Sequence, residues 1–136
     1  MAYEGFQVVA PGIIADADLS TSQYCAVSLS TENTVGLATS TVAVPFGILQ
    51  NKPSAAGQAA EVCIFGITKV KLGGTVTYGQ MIHNSSLGTI IAFDPALTSS
   101  NSLAYGFGQA IDGGASTQLG TAFINCATPM YYRATV

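Results

Sequence analysis

The residues whose chemistry could define a site are three cysteines, one histidine, a short acidic run and a glycine pair beside an aromatic. Thiolates bind zinc or attack electrophiles, so Cys25, Cys63 and Cys126 come first. They are odd in number, far apart and never in a CxxC pair, and each sits in an apolar setting. Buried thiols acting as small hydrophobes are therefore expected, with a zinc site or a reactive nucleophile as the alternative. A reducing cytoplasm suits them better than a secreted disulfide scaffold. His83 would need a carboxylate to orient it and a nucleophile to serve, and no triad-like motif surrounds it, so a turn or lightly buried histidine is expected. Asp16-Ala17-Asp18 followed by Ser20 has the acidic spacing that opens a calcium loop. The sixth position is Thr21 where glycine is needed and the twelfth is Val27 where glutamate is needed, which leaves an acidic turn. Gly106-Phe107-Gly108 starts like a dinucleotide fingerprint, but Ile111 stands where the third glycine belongs and no long helix follows. The carboxylates Glu4, Glu32, Glu61, Asp94 and Asp112 are scattered, with no partner base. No catalytic, cofactor-binding or metal-ligating set emerges, and the expectation is a protein that is not an enzyme.

The elements that would carry these residues are short strands. Residues 46–50 are apolar and β-prone, and Asn51, Lys52 and Pro53 stop them, because proline lacks an N–H and fixes φ near −65°. A small-residue loop over 54–58 leads into a second strand over 61–71. Val62, Ile64 and Ile67 suggest its buried face, with a phase change and bulge or bend at Gly66. Beyond it, Lys69 and Lys71 alternate with Val70 and Leu72. Gly73-Gly74 predicts a two-residue hairpin turn into 75–78, and the sheet is expected to continue to Ile82 before His83-Asn84-Ser85-Ser86 turns the chain. Asn84-Ser85-Ser86 also fits a glycosylation acceptor, which carries no weight without a secretory signal. Further strands are expected over 23–29, 34–37, 89–93, 105–111 and 118–125, with turns at Glu32-Asn33 and Asp112-Gly113-Gly114. One helical turn is expected over 95–103.

The bulk composition adds a constraint. Of 136 residues, 8% are charged and 49% hydrophobic, with a net charge of −3. Average soluble chains carry about 25% charged residues, so a surface of Ala, Ser, Thr and Gly suggests that much of it faces other protein. A stable neutral β-domain is the plainer alternative. Four Lys plus Arg cannot make the basic footprint that nucleic acid requires. No signal peptide is visible, and the charge-free run over 34–51 is broken by Gly36, Ser40, Pro45 and Gly47, so no membrane span is expected. The class is therefore all-β: a single small β-sandwich or β-barrel domain over 15–128, with an N-terminal arm over 1–14 and a C-terminal tail over 129–136. The arm, with Phe6, Val8, Val9, Ile13 and Ile14 around Pro11-Gly12, lies either on the domain's own sheet or on a neighbour.

The ordered runs GILQNKP, AGQAAEV and GITKVKLGG, with DADLSTSQYCAVSL upstream and AYGFGQAIDGGAS downstream, resemble the capsid cement (decoration) proteins of tailed bacteriophages. The resemblance spans roughly Asp18 to Asn125. It implies a protein made in the host cytoplasm that binds the outer surface of the assembled, expanded head and bridges major capsid subunits. Binding only that lattice would stabilise it by mass action. It further implies a homo-oligomer, a trimer favoured over a dimer, with no cofactor, nucleic acid or membrane partner. Another virion module, such as a head fibre or adhesin base, is the alternative, and a small-ligand-binding or hydrolytic β-barrel a weaker one.

The residues to test for such contacts are Lys52, Lys69 and Lys71, and Tyr131, Tyr132 and Arg133 in the tail. With so few charges, each lysine is a candidate for a specific ion pair, although a solvated surface lysine is the ordinary case. Tyr and Arg are favoured where surfaces dock, though a final strand with aromatic packing explains them equally.

Overall fold

A computed structural model describes residues 2–40, 43–93 and 103–133. They form twelve strands: β1 (Gln7–Ala10), β2 (Ile14–Ala15), β3 (Ala26–Thr31), β4 (Thr34–Leu37), β5 (Gly47–Leu49), β6 (Val62–Lys71), β7 (Met81–Asn84), β8 (Ile90–Ala92), β9 (Leu103–Gly106), β10 (Gly108–Asp112), β11 (Leu119–Asn125) and β12 (Met130–Arg133). Among the described residues there is no helix, as the turn spacing implied. The helical turn expected over 95–103 falls almost wholly on residues outside the described ones.

Strand β6 is the longest, at ten residues, because its Val, Ile and Thr favour extended backbone and no proline interrupts it. It serves three neighbours. β11 pairs antiparallel with it from Leu119↔Lys71 to Asn125↔Phe65, β5 pairs at Ile48↔Cys63, and β1 runs from Gln7↔Gly66 to Ala10↔Val62. The arm therefore lies on its own sheet. Ten strands share that sheet, in the order β2-β4-β3-β5-β6-β11-β10-β7-β8 with β1 off the path on β6, while β9 and β12 make a separate ribbon.

The bend in β6 falls where glycine placed it, with a difference in detail. Between Val8 and Val9 the register with β1 slips, so Ile64 is the extra residue, and Gly66 has φ +134°. A Cβ at Gly66 would collide with the Phe6 carbonyl oxygen, so glycine is needed here for both conformation and space. Past the bend, Thr68, Val70 and Leu72 point inward while Ile67, Lys69 and Lys71 are half-buried on the outer face. This corrects the expectation that Ile64 and Ile67 share one buried face. Instead Val62 and Cys63 are both fully buried, because that end of β6 is covered on two sides.

Gly73-Gly74 does not turn a hairpin. The free edge that a returning strand would need is already filled by β11, so the chain moves on: Leu72 bridges Ile90 in parallel and the Gly73 N–H donates to the Ile90 carbonyl at 2.8 Å. Residues 75–78 form no strand, and Val76 makes an isolated bridge to Gly114, beyond the end of β10. The Leu72–Ile90 bridge closes β6, β11, β10, β7 and β8 into a small barrel. Val70, Leu72, Ile82, Ile90, Phe107 and Ile124 fill it, with Cys63 and Cys126 among them. A second apolar cluster, including Leu19, Val27, Val35, Leu49 and Val62, lies on the other face of β3 and β5. Ala26 and Ile48 belong to the first cluster and Val27 and Leu49 to the second, the alternation expected of strands covered on both sides.

Other boundaries also move. β3 starts at Ala26 rather than residue 23, because Tyr24 adopts a left-handed φ of +66°. The turn expected at 83–86 sits later: His83 and Asn84 are buried inside β7, and the Ser85 N–H donates to the Thr89 carbonyl to close the hairpin to β8. The strand expected over 105–111 is broken at Phe107, which plugs the barrel, so that β9 leaves to pair with β12 while β10 pairs with β11 and β7. The β3–β4 hairpin and its Asn33 turn stand as read from the sequence.

Candidate docking surface

The groups best suited to chemistry are withdrawn into the core. Cys25, Cys63 and Cys126 are free and buried. Burial raises all three thiols, Cys126 to about 12, and a thiol in that state is a packing group, not a nucleophile. His83 is 8% exposed, its ring edge-on to Phe93 at 5.2 Å, and burial lowers its pKa. Among the described residues its Nδ1 has no hydrogen-bond partner. The neighbouring Asn84 instead donates through Nδ2 to the Ser40 carbonyl at 2.8 Å, tying β7 to the chain after β4. Asp18 forms the acidic turn expected of it, its Oδ1 accepting the Ser20 N–H; hydrogen bonding from the Ser20 hydroxyl first and this N–H second lowers its pKa.

The three lysines, by contrast, come together. The Leu19 N–H donates to the Pro53 carbonyl and Gln23 Nε2 to the Gln50 carbonyl, which folds residues 19–23 against the loop carrying Lys52. The next residue, Tyr24, accepts the Lys71 N–H on its own carbonyl at 2.9 Å, which ties this loop to the end of β6. A surface cleft of about 390 Å³ results, lined by Ser20, Gln23, Tyr24, Lys52, Lys71 and Thr117. Lys69, two residues along the same face, holds its Nζ 5.8 Å from the centre of the Tyr24 ring, a cation–π distance. Desolvation, then the charge and hydrogen bonding of Glu4, raise the Tyr24 phenol. Reading the sequence found the lysines one at a time. It missed Tyr24 and Thr117, which no motif marks, because the left-handed turn that presents Tyr24 is a product of packing.

A second surface is apolar. Phe6 is 59% exposed and packs on Phe65 and Phe123 at 5.9 and 6.5 Å between centroids, while Phe65 and Phe123 meet edge to face at 5.2 Å. Tyr3, Val8 and Val9 are further exposed apolar residues of the arm. Such a face on one side of a molecule is the usual mark of a protein contact. Of the tail residues singled out, Tyr131, Tyr132 and Arg133 lie in β12, which pairs by its backbone with Tyr105, Ala104 and Leu103.

Fold and surface together define a small all-β domain with a closed barrel, an intramolecular arm and no assembled reactive group among the described residues. No family model matches the chain, and no curated protein matches it. Among solved structures, it is similar to the crystal structure of the head fiber gp8.5 N base in bacteriophage phi29, with a TM-score of 0.62 and 17% identity. The match covers 93% of this chain and 100% of that one, so the likeness is to a whole domain.

Proposed function

We propose that the protein is a structural component of a phage virion, the base of a head fibre seated on the outside of the capsid shell. The observation that carries this reading is the whole-domain likeness to the phi29 head fiber base. Its support from this chain is a surface with few charges and an exposed aromatic face on the arm, both suited to lasting contact with protein. The major capsid protein is the proposed partner. Self-association, as a trimer before a dimer, would raise the effective concentration of each contact for the next. No covalent chemistry is assigned to it; the withdrawn thiols and histidine support that.

A cement role is the second reading, favoured by the ordered runs GILQNKP, AGQAAEV and GITKVKLGG. The two differ in what lies above the domain. Purified chain should co-sediment saturably with heads of its own phage that lack it, and gold-labelled antibody on virions should mark the foot of a projecting fibre. Label flush with the shell, with binding confined to expanded heads, would replace the fibre reading by the cement one. Absence of the chain from virions and no binding to any head would reject both.

A further inference from the structure

Lys52, Lys69 and Lys71 are three of the four cationic residues in a chain of net charge −3, and all stand around Tyr24. Their clustering reverses the sign of the surface locally. Glu4 is the carboxylate near Tyr24, whose phenol its charge raises after desolvation. Among the described residues none of the three ammonium groups has an ion pair. The backbone under the cleft is also unusual. Tyr24 and Thr117 have φ of +66° and +75°, and apart from Asn33 in a tight turn they are the non-glycine residues with positive φ among the described residues. Both line this one cleft. An aromatic and a β-branched residue are held there against their preference, which surrounding structure enforces most often where a ligand or partner is clamped. Thr117 is fixed through its N–H to the Leu72 carbonyl at 2.9 Å, and Tyr24 through its N–H to the Leu49 carbonyl at 2.7 Å.

We infer that the Tyr24–Lys52–Lys71 cleft, with Lys69 at its rim, is a docking site for an acidic protein segment, its Asp or Glu carboxylates contributed by the capsid shell. The identity of the partner rests on the virion reading above; the chemistry of the cleft does not. Lysines present point charges to carboxylates, while Ser20 and Gln23 supply neutral polar groups and Tyr24 and Leu119 an apolar wall for a peptide. Phosphate recognition is less well served, since among the described residues the cleft has neither an arginine fork nor a helix N-terminus.

The test uses the full chain, the double variant Lys52→Gln/Lys71→Gln and the charge-preserving Lys52→Arg/Lys71→Arg. The Gln variant should melt like the wild type, bind heads about tenfold more weakly and lose much of the salt dependence, with the Arg variant restoring both. Unchanged head binding by the Gln variant would overturn the inference while leaving the virion reading intact. If the wild type binds no head, that reading fails by itself and a direct probe decides the cleft. Hepta-aspartate peptide should then shift the NMR signals of Tyr24 and Lys71 in the wild type and not in the Gln variant. No shift, or an equal shift with inorganic phosphate alone, would overturn the carboxylate assignment.

Discussion

At the scale of single residues, the protein's reactive side chains are packing groups whose titration records their burial. His83 shows this with a definite sign. Its folded pKa lies below the ordinary value of 6.5 because burial disfavours the imidazolium. Between the folded value and 6.5 the unfolded chain binds more protons at this position than the native one. Stability contributed by neutral His83 is therefore present above about pH 6.5 and is lost as pH falls towards the folded pKa, by at most about 1.4 kcal/mol per pH unit. Urea melts of wild type and His83→Phe from pH 7 to pH 5 should show the wild type losing more. Parallel losses would mean that His83 titrates normally in the folded protein. Thr68, fully buried beside Lys69, is at ease because its hydroxyl is paired with the Gln50 side-chain amide at 2.9 Å.

Among the elements, β6 is the one on which the others depend, and Gly66 is where it accommodates the arm. The Ile67 N–H donates to the Phe6 carbonyl and the Gly5 N–H to the Ile67 carbonyl, both at 2.9 Å, so the arm is threaded alternately across the bend. Gly66→Ala should cost about 1–3 kcal/mol from backbone strain alone and should release the arm, because the new Cβ has no room beside Phe6. Faster amide exchange at Gly5 and Ile67, with a lower melting temperature, would report it. An unchanged arm would show that β1 holds to β6 by its side chains and not through this close approach. The slip at Ile64 and the glycine at 66 work together: an added residue and a positive φ let one strand serve both the barrel and the second cluster.

For the whole molecule, the separation of the β9–β12 ribbon from the ten-stranded sheet predicts that the tail is dispensable for folding. Removing residues 130–136 leaves the ten-stranded sheet complete, so thermal stability should shift by no more than about 1 kcal/mol. If the tail belongs to a contact, sedimentation velocity and head binding should nonetheless show weaker association. Collapse of the fold would instead make β12 a structural strand and remove the tail from the list of contact candidates. The low charge content has its meaning at this scale too: few ionic groups leave association to apolar and hydroxyl surface, so the exposed Phe6 face and the lysine cleft stand out against it.

The sequence by itself determined that the chain is all-β, where most strands lie, that Gly66 interrupts β6 and that Asn33 turns β3 into β4. These features rest on local causes: side-chain branching, proline's missing donor and glycine's freedom. The surface composition was equally legible, since charge content needs no coordinates. Which edges pair was decided only in three dimensions. Gly73-Gly74 has the look of a hairpin, yet the returning strand is β11, from nearly fifty residues on, because long-range packing of Leu72, Ile90 and Ile124 outweighs the local turn preference. The same cause buries His83, breaks the chain at Phe107 and gathers Lys52, Lys69 and Lys71 around a strained Tyr24. Contacts between distant residues have no signature in spacing, and so the cleft exists only in the folded chain.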